Sequence, residues 1–110
     1  MKMATRHTGG AVILDVSGDI DLESSPELRK ALLGSLKESP RVVLNLVRVR
    51  YIDSSGIGEL VSGFTAVRNR GGELKLLNLT KKVHDLLQIT KLFTVFDVFN
   101  EESTAVRSFE

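Results

Sequence analysis

The sequence contains no cysteine and no tryptophan. Without thiols, disulfides and thiolate metal sites are excluded. Charge shows no excess of either sign: 15 Lys and Arg face 14 Asp and Glu. No overall field therefore draws the chain to nucleic acid or to an anionic membrane. No apolar run approaches the length of a membrane span, which argues against direct membrane insertion. Met1 to Gly10 carries Lys2, Arg6 and His7 around no apolar core and lacks the pattern of a secretory signal. A cytoplasmic location is the default expectation. Internal repeats, linkers and low-complexity tracts are absent as well.

What is present is an ordinary globular composition: 110 residues, 42% apolar and 26% charged. That length is enough for one domain, residues 1–110, with a single core. Met1 to Thr8 reads as a weak edge strand, and Gly9-Gly10 as a hairpin turn into the apolar strand Ala11–Val16. Ser17-Gly18-Asp19 closes that strand. A helix begins at Ser24, which has capping-box spacing to Glu27, or at Ser25 ahead of Pro26; Ser24 is preferred. Its buried stripe is Leu28, Ala31, Leu32, Ser35 and Leu36, and it ends near Lys37 to Ser39, before Pro40.

Val42 to Leu46 is continuous enough to be a buried central strand. Val47 to Arg50 alternates, predicting one covered and one solvated face. A second helix is predicted from about Ser55 to Arg70, stopped by Gly71-Gly72, followed by a strand over Glu73 to Leu77. Thr80 caps a third helix with Val83, Leu86, Leu87 and Ile89. Phe93 to Phe99 reads as a last strand, and Glu101 to Phe109 as a terminal helix capped by Ser103 or Asn100. Strand–helix alternation behind one opening hairpin predicts an α/β domain: a mixed sheet of four to five strands with helices packed on it.

Between the central strand and the second helix lies Tyr51-Ile52-Asp53-Ser54-Ser55-Gly56-Ile57-Gly58-Glu59. An acid, two hydroxyls and two glycines suit the exposed mouth of a strand-to-helix turn. Ser54 would present its hydroxyl to solvent, Ser55 would cap the helix, and Gly56 and Gly58 would allow close backbone approach. A phosphate on Ser54, carrying roughly −1.5 to −2 charges, would sit at a helix N-terminus that tolerates it. A partner covering the loop would have to desolvate that dianion beside Asp53, at high cost. Taken alone, the cluster is also ordinary turn and cap chemistry, and the pattern does not choose between the two.

The landmarks taken together do. Gly18-Asp19-Ile20-Asp21, Val43-Leu44-Asn45-Leu46, Tyr51 to Gly58, Gly71-Gly72-Glu73-Leu74, Val83, Leu86-Leu87, Thr90, Leu92-Phe93 and Phe96 follow one another in the order found in a known family. End to end the chain resembles the STAS domain, in particular the bacterial anti-sigma-factor antagonists. The resemblance implies Ser54 as phosphoacceptor, supported by Asp53, Ser55, Gly56 and Gly58. It implies that the unphosphorylated form binds an anti-sigma factor that is also a serine kinase, freeing a sigma factor. The kinase then ends the complex by phosphorylation with its own ATP, and a phosphatase of PP2C type resets it. The chain would be a substrate rather than an enzyme, with no cofactor and no metal. The expected partner surface takes Asp21 and Ser24 from the turn after the second strand, with Ile57, Glu59 and the exposed face of the second helix.

Five residues, at three places in the chain, depart from that family's pattern. Arg48 and Arg50 stand where acidic or neutral residues are common, and read as partners of a phosphate, as contacts to an acidic partner, or as solvated charges on an exposed strand face. Lys91 replaces the usual glycine after Thr90, where a left-handed helix end would cost some stability. Lys81 and Lys82 open the third helix against its dipole. Of the rival functions, hydrolysis by Ser54 or Ser55 would need His7 or His84 as base, and the loop lacks the Gly-x-Ser-x-Gly elbow. Gly56-Ile57-Gly58 is too short for a nucleotide fingerprint. The remaining alternative is a non-switching STAS adaptor in a stressosome-like or membrane lipid transport complex.

Overall fold

The computed structural model describes residues 1–109. Strands β1 (Lys2–Thr8) and β2 (Ala11–Ile20) form an antiparallel hairpin. At its turn Gly9 and Gly10 have φ of 54° and 80°, the left-handed pair that a two-residue hairpin turn needs. The chain then alternates through α1 (Ser25–Ser35), β3 (Arg41–Ile52), α2 (Ser54–Asn69), β4 (Glu73–Leu77), α3 (Lys81–Ile89), β5 (Val98–Phe99) and α4 (Glu102–Arg107). Strands β2 to β5 pair in parallel, and the sheet order β1-β2-β3-β4-β5 is simply the chain order. The mixed α/β sheet expected from the sequence is present, with five strands.

Strand alternation divides the core between the two faces of the sheet. Leu14, Leu44 and Leu76 point to one face and meet Leu28 and Leu32 of α1 and Leu60 and Val67 of α2. Their neighbours Ile13, Val43 and Leu77 point the other way, onto Ala105 of α4. Burying an aliphatic side chain of this size is worth about 1.5–3 kcal/mol, so these two rows supply much of the fold's driving force. On the α4 side Lys75 is only 5% exposed. Its Nζ donates to Ser108 Oγ at 2.7 Å and lies 4.6 Å from the Phe109 ring and 5.5 Å from Phe99. This cation over two aromatic faces fastens the C-terminal segment to β4.

Several boundaries differ from expectation for local reasons. β2 runs on to Ile20, because Gly18 at φ 97° absorbs a register shift instead of ending the strand. Ser24 is the residue before α1, but at φ −89° and ψ −18° it is already helical, so its side chain does not reach back to cap. The regular helix stops at Ser35 and continues as turns through Glu38. The predicted strand over Phe93–Phe99 shrinks to two residues. Lys91 turns left-handed at φ 62°, and Phe96 then turns inward against Phe64, ring centroids 5.3 Å apart and edge to face. Ile89, expected in the stripe of α3, is 77% exposed. α4 follows Glu101, whose side chain makes no cap bond; neither Asn100 nor Ser103 caps it.

Candidate functional site

Two loops meet at the C-terminal edge of the sheet: the one leaving β2 and the one joining β3 to α2. Ile20 and Ile52 are register partners, and the Asp53 amide donates to the Ile20 carbonyl at 3.2 Å. Gly56 locks the second loop onto the first. A Cβ there would lie 2.6 Å from both the Ile20 carbonyl oxygen and Ile52 Cγ1, closer than any real contact. Gly58 has open space on its Cβ side, so close approach requires only Gly56.

The cap of α2 is Asp53, not Ser55. Asp53 is extended at φ −103° and ψ −175°, and its Oδ1 accepts from the Gly56 amide at 2.9 Å. The Ile57 amide donates to its carbonyl at 2.9 Å. The amides of Gly56 and Ile57 are therefore occupied. Those left without an acceptor among the described residues belong to Ser54 and Ser55, the first two residues of the helix. Ser54 is exposed and Ser55 half-buried, and neither hydroxyl is hydrogen-bonded among the described residues. The loop thus keeps its shape through Asp53 and Gly56, leaving the Ser54 oxygen at the positive end of a 16-residue helix.

In the first loop Asp21 Oδ1 accepts from the amides of Ser24 at 3.0 Å and Glu23 at 3.1 Å. The bond from the Ser24 amide is the main reason its carboxyl is held below the usual carboxylate range. Ser24 Oγ lies 2.9 Å from the Asp19 carbonyl and accepts from the Asp21 amide, also at 2.9 Å. Asp21 and Ser24, expected as contact groups, are engaged in bracing the loop. What the braced loop presents is Leu22, 72% exposed, which periodicity gave no reason to single out.

The remaining expected contact residues sit deeper. Ile57 is 7% exposed and belongs to the core, because its position on α2 faces the sheet. Glu59 is largely covered and faces Arg29 of α1 at 3.6 Å, so it couples two helices. Arg50 lies 3.8 Å from Asp19. Arg48 is exposed, as are Lys81 and Lys82. His7 pairs with Glu38 at 3.1 Å, while His84 stacks edge-on with Phe93 and lies 3.5 Å from Asp85. Neither ring is hydrogen-bonded to Ser54 or Ser55.

Residues 2–105 match the sequence profile of the STAS domain, and the chain belongs to that family. Over 85 residues it is 35% identical to an anti-sigma-B factor antagonist of Bacillus subtilis, covering 77% of this chain and 78% of that one. Among solved structures it is similar to an anti-sigma factor antagonist from Mycobacterium paratuberculosis, with a TM-score of 0.84 at 19% identity over 97% of this chain and 92% of the other. The Bacillus cell fate determinant SpoIIAA in its phosphorylated form superposes with a TM-score of 0.74 at 18% identity, covering 99% and 100%. At these identities the solved structures establish a shared fold.

Proposed function

We propose that this chain is an anti-sigma-factor antagonist that switches partners through Ser54. Unphosphorylated, it binds an anti-sigma factor that is also a serine kinase, in the cytoplasm, and so frees a sigma factor. Phosphate transferred to Ser54 ends the complex, and a PP2C-type phosphatase restores it. The chain acts as binding module and substrate. The family supports this reading, as does the name of the B. subtilis relative. So does the existence of a phosphorylated form of the similar Bacillus SpoIIAA.

The observation that carries it is the division of labour at the loop. Asp53 and Gly56 make every bond that shapes the start of α2, while the Ser54 hydroxyl makes none among the described residues. Adding a phosphate breaks no native hydrogen bond, and the two amides at the helix end favour the added charge. The surface changes while the fold does not.

The test pairs binding with stability. Ser54→Asp weakens binding to the anti-sigma factor but leaves the melting temperature nearly unchanged, whereas Ser54→Ala binds constitutively and is not phosphorylated. Phosphate mapped to Ser55 in protein from its native host would move the site by one residue. Absence of phosphate in every growth condition would instead assign the chain to the non-switching adaptors.

A further inference from the structure

The sheet face opposite α1 and α2 is only half covered. Near β4, α4 seals Ile13, Val43 and Leu77. Towards β1 the face stays open as a groove of about 570 Å³. Strand pairing arranges its side chains in rows. Lys2 pairs with Ser17, and Ser17 with Arg48, so these three lie side by side on adjacent strands. With strands about 4.8 Å apart, the row spans roughly 10 Å. The next row is Ala4, Asp15 and Asn45.

The charges in these rows are unequally committed. The Asp15 carboxylate is fully engaged: Arg6 donates to Oδ2 at 2.5 Å and to Oδ1 at 2.9 Å, and Asn45 Nδ2 donates to Oδ1 at 2.8 Å. Arg6 also donates to Glu102 of α4 at 2.6 Å. Lys2 and Arg48 have no carboxylate partner among the described residues, and the Ser17 hydroxyl no hydrogen bond.

A bulge brings Arg48 into the row. Between Asn45 and Arg48, β3 has two residues where β2 has one between Asp15 and Ser17, and the register shifts there. The Asn45 side-chain oxygen accepts from the Val47 amide at 3.3 Å, holding the extra residue in place. Bulges re-aim side chains in this way, and they concentrate beside functional sites. Here Val47 and Arg48 both line the groove, with Val47 half exposed. Unlike Arg50, which lies 3.8 Å from Asp19, Arg48 has no carboxylate within ion-pair distance among the described residues, and Asp15, whose charge it feels from the next row, is already held by Arg6.

The geometry points to a binding site for a small organic anion. Its phosphate or carboxylate is held by Lys2, Ser17 and Arg48, and its apolar body lies over Val47 and Ala4. Donors without acceptors and one exposed aliphatic side chain in a single concavity give a ligand both orientation and contact area. The site is independent of Ser54, whose loop is built on other residues.

Amide shifts in a two-dimensional nitrogen–proton spectrum test the site, with phenyl phosphate as probe and inorganic phosphate and phenol as comparators. The inference expects saturable shifts at Ser17, Asn45, Val47 and Arg48 with phenyl phosphate. Inorganic phosphate should bind more weakly and phenol not measurably. Arg48→Gln should weaken phenyl phosphate by about tenfold, the worth of one charge-assisted hydrogen bond, while Arg70→Gln on the exposed end of α2 should not. Absence of saturable shifts, unchanged affinity in Arg48→Gln, or shifts confined to the start of α2 would overturn the site. Equal affinity for inorganic phosphate would overturn the apolar half of the assignment.

Discussion

Gly56 and Gly58 are two residues apart in one helix, and the structure predicts opposite consequences for the same substitution. At Gly56 a new Cβ would stand 2.6 Å from the Ile20 carbonyl oxygen, 2.6 Å from Ile52 Cγ1 and 2.8 Å from Ile20 Cγ2. A carbon normally stays about 3.3 Å or more from a carbonyl oxygen, so the overlap is roughly 0.7 Å. The obstacle is backbone, which no rotamer change relieves. Overpacking of this kind costs about 1–3 kcal/mol, and the better helix propensity of alanine returns at most about 1. Three contacts below 3.0 Å, one of them to backbone, place the cost in the upper part of that range, so Gly56→Ala should lose about 1–2 kcal/mol net. Gly58→Ala meets nothing within 4 Å and should gain about 0.5–1 kcal/mol from propensity alone. Urea unfolding of the three proteins reads both effects, and roughly 4 °C of melting temperature accompanies each kcal/mol at this size. A Gly56→Ala variant as stable as the parent would refute the close-approach argument, and a destabilised Gly58→Ala would refute the open-space one.

Two further outcomes follow from backbone and charge. Lys91 holds φ 62°, so Lys91→Gly should stabilise by about 0.5–1 kcal/mol, the left-handed penalty less the added freedom of the unfolded chain; a loss in thermal unfolding would show that the lysine earns its place through a contact. The Arg6 hydrogen bonds hold the Asp15 carboxyl below its usual range against the opposing effect of burial. Because the folded pKa is depressed, this stabilisation is complete above the unfolded value near 3.9 and is lost as pH falls through the lower folded one. Arg6→Gln should make the acid limb of a stability-versus-pH curve shallower below about pH 4, and an unchanged limb would remove Asp15 from the account.

Much of this was legible in the sequence, because apolar periodicity and turn residues act locally. The double glycine fixed the hairpin, and Thr80 caps α3 as its spacing implied, accepting from the Val83 amide at 3.4 Å. What escaped depends on tertiary position. Both Asp53 and Ser55 are good cap residues, and only the extended backbone of Asp53 decides between them. Ile57 and Glu59 looked available on a helix whose orientation against the sheet was unknown. Phe93 to Phe99 has strand composition, but the left-handed turn at Lys91 and the inward packing of Phe96 leave room for two paired residues. A lysine between strand leucines gives no hint of the aromatic pair that closes over Lys75, since both rings come from distant segments. The bulge before Arg48 was equally hidden, because register shifts leave no mark on a run of valines and arginines.

The order of the sheet bears on how the chain is made. Since spatial order equals chain order, each strand emerging from the ribosome finds its neighbour already in place, and no gap must be held open for a later one. Sequential addition of this kind spares parallel strands much of the loop-closure cost that slows them. The exception is the second face. Ile13 and Val43 come early, yet Ala105, which covers them, comes near the end. A chain halted between β4 and α4 would hold a paired sheet with one apolar row still facing water, a form for chaperones to recognise.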